Sequence, residues 1–273
     1  MEEVNGKVAF VTGGASGIGL GMTRAFLKAG MQVAIGDLQS ERIDNAMSLL
    51  STQFDADNVL PIELDVQDRS ALESAADQIE AHFGKVHVLC NNAGIGAGGP
   101  LHTVSPELWE RVISINLTSV FNGIQVFVPR MQKHGEGGHI VSTASMTGVI
   151  PIGGSGPYGV AKAGVAVMSE ILRQDLAQEN ISASVLAPWI VNTPIFRPHV
   201  DEKDQEAMVA HQQTMEQRWG DSLTDPDDVG QMVLDGIIND ELYIFNDPVA
   251  RNMLENRIKG MYDALDRQFG AAD

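Results

Sequence analysis

The sequence predicts an α/β fold, a single doubly wound parallel sheet with helices on both faces. Three observations predict it. Short runs rich in Val, Ile and Leu recur without polar alternation, as strands covered on both faces require. Longer amphipathic stretches separate them, the order expected when each strand returns through a helix. A glycine-rich turn, Gly13-Gly14-Ala15-Ser16-Gly17-Ile18-Gly19, joins the first run to the first amphipathic stretch.

The predicted strands are 7–12, 32–36, 59–64, 86–91, 138–143, 182–187 and 241–245. Helices are expected over 17–29, 40–50, 68–83, 106–131, 157–178 and 226–238. Ser40, Asp68 and Ser105 are the residue types that cap helix N-termini, and Pro106 suits a first helical position. Residues 194–224 break the rhythm with a polar stretch carrying Met208, Met215 and Trp219. A connection of that length reads as a substrate lid. In the tail, 248–270, Leu254, Ile258, Met261 and Leu265 fall at helical spacing, which predicts an amphipathic helix against the domain or a partner subunit. No linker, repeat or low-complexity tract divides the chain, so one domain is expected over 1–273.

Composition narrows the function classes. Of 273 residues, 18 are Lys or Arg and 36 Asp or Glu, a net charge of −18. Phosphate backbones and anionic membranes would meet a repulsive field, so neither nucleic acid nor membrane is an expected partner. The acidic start lacks the basic and apolar regions of a signal peptide, and no uninterrupted apolar run reaches bilayer length. The single cysteine, Cys90, forbids an intrachain disulfide and suits a buried thiol. A cytoplasmic protein is expected. The seven histidines show no ligand-like spacing, so no metal site is expected.

The glycine turn carries the first functional expectation. Glycines allow a pyrophosphate to approach the backbone, and the following helix presents free N–H groups with a positive dipole end. Gly13, Ser16, Gly17, Ile18 and Gly19 are the candidate contacts. Asp37 ends the second predicted strand, where a carboxylate accepts hydrogen bonds from adenosine ribose hydroxyls and repels a 2′-phosphate. Neither Ala15 nor Ser16 supplies a cation for such a phosphate, so NAD is expected over NADP.

Further along come Asp65-Val66, Asn91-Asn92-Ala93-Gly94, Asn116, Ser145, Tyr158-Gly-Val-Ala-Lys162 and Pro188 to Thr193. In this order the set resembles the short-chain dehydrogenase/reductase family over nearly the whole chain. The resemblance implies a Rossmann-like sheet, a nicotinamide cofactor and oxidoreduction of an alcohol or ketone. It also implies a homodimer or homotetramer built on helices 106–131 and 157–178. Cofactor contacts it implies are Asp65 with Val66 at the adenine, Asn92, Ala93 and Gly94 along the adenosine, and Pro188, Val191 and Thr193 toward the carboxamide. It assigns catalysis to Asn116, Ser145, Tyr158 and Lys162, with Tyr158 and Lys162 also touching the nicotinamide ribose.

The chemistry fits these residue types. A phenol is a poor base at neutral pH unless its pKa falls. Four residues apart on a helix, Tyr158 and Lys162 share a face, where the ammonium and a positive nicotinamide ring both favour phenolate. Ser145, just after the fifth predicted strand, can stabilise charge on the substrate oxygen, with Ser142 as a fallback. By resemblance, Asn116 binds a water on a proton path to the lysine.

Two departures stand out. Trp189 follows Pro188 where the family has glycine, and the family's Val-Asp-Gly-Gly ending gives way to Glu-Leu-Tyr-Ile-Phe-Asn-Asp-Pro. Segments 126–131, 156–158 and 242–244 are similar to bacterial dehydrogenases that oxidise the benzylic alcohol of lignin-derived aryl ethers. Met146, Ile150, Ile152, Trp189 and Phe196 would form an apolar substrate pocket for an aryl or steroid-like alcohol, or else serve packing alone. The competing function is a nucleotide-binding sensor or scaffold that kept the fold without turnover.

Overall fold

The computed structural model describes residues 1, 3–196 and 205–270. Seven strands form one sheet, β1 (Val8–Thr12), β2 (Gln32–Asp37), β3 (Val59–Glu63), β4 (Val88–Asn91), β5 (Gly138–Thr143), β6 (Ile181–Leu186) and β7 (Tyr243–Ile244). Their order is β3-β2-β1-β4-β5-β6-β7, and every pairing is parallel. The Rossmann-like architecture expected from the sequence is therefore the one present. The order reverses between β1 and β4, and ligands of open parallel sheets bind beyond the strand ends at such a reversal. Pro61 lies in β3, an edge strand, where a missing N–H costs no ladder bond.

Helices α1 (Gly17–Lys28), α2 (Ser40–Leu50) and α9 (Pro226–Ile238) cover one face of the sheet. The other face takes α3 (Arg69–Phe83), α5 (Ser119–His134) and α7 (Gly156–Asp175). Phe10 of β1 meets Phe127 of α5 with ring centroids 5.1 Å apart, both fully buried. The remaining helices are α4 (Pro106–Ile113), the one-turn α6 (Met146–Val149), α8 (Gln205–Trp219) and α10 (Ala250–Phe269).

Two local readings change. Asp68 and Ser105 do cap α3 and α4, accepting from the backbone N–H groups of Ser70 and Leu108, but the N-cap of α2 is Gln39 and Ser40 is its first residue. The expected helix 106–131 runs on to His134, with a π-turn at Ser114–Thr118 between α4 and α5. By length and composition that continuous helix could span a bilayer, although polar residues interrupt its apolar stretch. Half of its most apolar window is buried inside the domain against the sheet.

Two buried histidines are held neutral. His87 Nδ1 accepts the Val8 N–H at 3.1 Å, so the ring's proton sits on Nε2, 3.0 Å from Glu136. His139 Nε2 lies 2.7 Å from Ser184 Oγ, and that hydroxyl itself donates to Glu241 O. Burial lowers the pKa of His87 and takes that of His139 to about 3. A histidine depressed in the fold stabilises the protein above its unfolded pKa of about 6.5, and that stability fades as pH falls. Urea midpoints are expected to drop steadily from about pH 6.5 to about pH 5, with up to about two protons taken up on unfolding. A constant midpoint across that range contradicts this account.

Candidate active site

The site forms at the C-terminal ends of the strands. Thr12, the last residue of β1, is its organising hydroxyl. Its Oγ1 accepts the N–H groups of Asn92 and Ala93 at 2.9 and 3.1 Å and donates to Cys90 O at 3.3 Å. Asn92 then spans three strand ends, with Nδ2 donating to Thr12 O and Oδ1 accepting from Thr143 Oγ1, each at 3.1 Å.

The glycine turn fits a dinucleotide. Gly13 and Gly17 adopt φ of 64° and 52°, which a side chain would strain. A Cβ on Gly19 would lie 2.1 Å from Gly13 O. Ser16 is the N-cap of α1 but makes no side-chain capping bond, so its hydroxyl leaves the first-turn N–H groups to an anion. Thr193 covers this turn, its methyl 3.1 Å from where a Gly17 Cβ would stand. Ile18 is partly buried beside it.

Asp37 stands at the end of β2, where it accepts from Gln39 N at 3.3 Å and receives the Ala15 amide. Burial raises its pKa, and the nearby Arg42 guanidinium pulls the other way. Arg42 is a cation near this carboxylate that the sequence reading missed, because it lies five residues on in α2. Asp65 accepts from Gln67 N at 2.9 Å, and Val66 packs on the core. Pro188 O accepts Met146 N at 3.0 Å. The Val191 side chain is buried among core residues and its strand-like backbone bridges to Thr224, so only its backbone can face the cleft.

The four candidate catalytic residues converge on one spot. Tyr158 and Lys162 share a face of α7, with Lys162 Nζ 5.7 Å from the phenol ring centroid. Lys162 is buried and donates to Thr143 O at 2.6 Å. Burial lowers its pKa to about 8. Ser145 caps α6, its Oγ accepting Thr147 N at 3.3 Å, and its hydroxyl lies near the Tyr158 phenol. Burial raises the phenol's pKa while the nearby Ser145 hydroxyl lowers it. Desolvation outweighs the other influences on the phenol, and the lysine's proton is directed at a carbonyl.

Asn116 lies in the π-turn, fully buried, with Oδ1 accepting Ile95 N and Nδ2 donating to Ile95 O, each at 3.0 Å. It fastens the segment after Gly94 to the helix. A Cβ on Gly94 would meet Asn116 Oδ1 at 2.6 Å and Lys162 Nζ at 3.5 Å, which places the glycine in the same constellation. Ser142 is fully buried inside β5, with no bond from its hydroxyl among the described residues. The Cys90 thiol is buried and its pKa pushed up, as an inert core residue.

On the substrate side, Trp189 meets Trp219 of α8 edge-on, centroids 6.0 Å apart. It also packs against the cluster of buried Met146, Ile150 and Ala250, on which Met253 and Leu254 of α10 pack too. Met146 is only 1% exposed, so its side chain contributes packing behind the wall. Ile152 is partly exposed in the loop after α6. The side chain of Phe196 and residues 197–204 of the expected lid lie outside the described residues. Asn246, absent from the sequence reading, accepts Trp189 N at 2.7 Å and donates to Thr224 Oγ1 at 2.8 Å.

The family model "short chain dehydrogenase" matches residues 7–204. The chain belongs to the short-chain dehydrogenase family. The C alpha-dehydrogenase of Sphingobium sp. (strain NBRC 103272 / SYK-6) is 31% identical over 281 residues, covering 97% of this chain and 88% of that protein. The crystal structure of LigO in its apo form, from Sphingobium sp. strain SYK-6, aligns with a TM-score of 0.83 at 32% identity, covering 98% and 92% of the two chains. A short chain dehydrogenase/reductase from Burkholderia phymatum, solved in complex with NAD, aligns with a TM-score of 0.83 at 28% identity, covering 100% and 98%.

In this short-chain dehydrogenase, Asn116→Leu is expected to leave the Ile95 N–H and carbonyl unpaired in a buried setting. The cost is about 1–3 kcal/mol for each unsatisfied group. Urea denaturation checks it, and a loss below about 0.5 kcal/mol contradicts the clasp, since neutral surface changes fall in that range.

Proposed function

We propose that the chain is an NAD-dependent dehydrogenase that interconverts a secondary alcohol and its ketone, with Tyr158 as acid/base. The carrying observation is the convergence of Tyr158, Ser145 and buried Lys162 beside Gly94 and the glycine turn. When bound, the nicotinamide supplies a hydride acceptor or donor and, in its oxidised form, a positive ring next to the phenol. That charge is what the phenol needs, since burial alone holds its proton. Tyr158 Oη takes the alcohol's hydroxyl proton during oxidation and returns it during reduction. Ser145 Oγ donates to the substrate oxygen as charge develops there. Lys162 holds the nicotinamide ribose and assists the phenol, and Asn116 keeps the loop after Gly94 in place.

Asp37 selects NAD. A desolvated carboxylate gains from two ribose hydroxyl donors and loses beside a 2′-phosphate dianion. The cofactor contacts are Gly13, Ser16, Gly17, Ile18, Gly19, Asp37, Asp65, Val66, Asn92, Ala93, Gly94, Tyr158, Lys162, Pro188, Val191 and Thr193.

The substrate is a bulky apolar alcohol, aryl or steroid-like. The Trp189–Trp219 pair gives the site an aromatic wall, and the similarity to a C alpha-dehydrogenase favours a benzylic alcohol. Ile152 completes this side. The enzyme works in the cytoplasm, consistent with its acidic surface and one buried thiol. Exposed Val160, Val167 and Ile171 of α7 and Phe121 of α5 supply apolar faces for a homodimer or homotetramer.

Three measurements test this. Purified enzyme with NAD is expected to oxidise secondary aryl alcohols, followed by reduced-nicotinamide absorbance. Turnover of polar sugars alone rejects the apolar substrate. Tyr158→Phe is expected to cut kcat about 10²–10⁴-fold while NADH binding stays nearly intact. A loss under about tenfold removes Tyr158 from the role. Wild type is expected to show the higher kcat/KM with NAD, and Asp37→Ser to narrow the gap to NADP. A wild-type preference for NADP refutes the assignment of Asp37.

A further inference from the structure

Ser145 stands at the start of a helix that cannot hold itself. Helix α6 has four residues, and one turn is unfavourable without tertiary support. Its successor is the loop Pro151-Ile152-Gly153-Gly154, where the Gly153 Cβ position is open space. The position of α6 is therefore set from outside. On one side, Gly148 presses on α7, where a Cβ would lie 2.5 Å from the Lys162 carbonyl carbon. At the front, Met146 N donates to Pro188 O at 3.0 Å. Behind, buried Met146 and Ile150 pack on Ala250 of α10.

The last support is specific. The Arg257 guanidinium of α10 donates to Val149 O, at the C-terminal end of α6. That carbonyl is one of the acceptors a helix leaves unpaired, and a cation suits the negative end of its dipole. Arg257 also lies in electrostatic reach of Tyr243, whose hydroxyl donates to Glu170 of α7.

We propose that Arg257 is a positioning residue. By holding Val149 O it fixes α6 and so keeps Ser145, the N-cap of α6, in place beside Tyr158. This rests on the reading of Ser145 and Tyr158 as the working pair. The tail helix thereby belongs to the catalytic apparatus, although it contributes no group to the reacting atoms.

The test is a set of variants assayed with NAD and whichever secondary alcohol the wild type oxidises. Arg257→Met keeps the aliphatic stem and removes every donor. It is expected to lower kcat about tenfold or more with NADH Kd within about twofold. The pH midpoint of kcat/KM is expected to move upward, because displacing the Ser145 hydroxyl removes an influence that favours the phenol's ionised form. The charged group across the phenol ring, Lys162, is unchanged, so the shift reports on Ser145. Arg257→Lys, which keeps a cationic donor, is expected to recover most of the loss. In a Ser145→Ala background, Arg257→Met is expected to cost little more, since coupled residues are non-additive. Should Arg257→Met fail to fold, Arg257→Gln, a neutral donor, replaces it in the same cycle. A kcat within twofold of wild type, an unmoved pH profile, or full additivity with Ser145→Ala overturns the proposal. An active Tyr158→Phe enzyme instead overturns the reading beneath it, so the two failures are distinguishable.

Discussion

The site depends on one buried ammonium. Among the described residues Lys162 has no carboxylate partner and donates to one backbone carbonyl, Thr143 O, at 2.6 Å. A cation removed from water is costly, and its pKa near 8 records that cost. The surroundings are shaped to tolerate it. Gly94 and Gly148 let two backbones close in around the lysine, and the bond to Thr143 pins α7 to the end of β5. With α7 pinned, Tyr158 one turn earlier has a fixed place relative to the strand ends. Moving that carbonyl or crowding those glycines would misplace the phenol before touching it.

The parts of this architecture governed by local rules were legible in the sequence. Seven apolar runs separated by amphipathic stretches gave the strands, their helices and a parallel sheet, because both signals operate within about ten residues. The glycine turn was legible because positive φ and close approach restrict the residue type at Gly13, Gly17 and Gly19. Tyr158 and Lys162 were legible as helix neighbours.

What the sequence hid depends on distance along the chain or on a balance of opposing terms. The π-turn around Asn116 leaves no mark in composition, since one extra residue in a turn does not disturb an apolar pattern. Thr143 acts through its carbonyl, which every residue has. Asn246 serves Trp189 and Thr224, 57 and 22 residues away, and Arg257 serves Val149, 108 residues away. No spacing rule connects such pairs. The burial that bears on the phenol's acidity follows from the fold, and counting charges along the chain does not reveal it.

The glycine turn sits on a body of net charge −18, and its invitation to an anion comes from backbone dipoles at an uncapped helix end. These two fields have different reach. Peptide dipoles act within a few ångströms, whereas the body's repulsion is felt across solvent and fades with a screening length of about 8–10 Å at ordinary ionic strength. Added salt therefore weakens the long-range opposition more than the local attraction. An anionic dinucleotide should bind this protein more tightly, not less, as salt rises to moderate levels, the reverse of what a lysine-rich phosphate site would do.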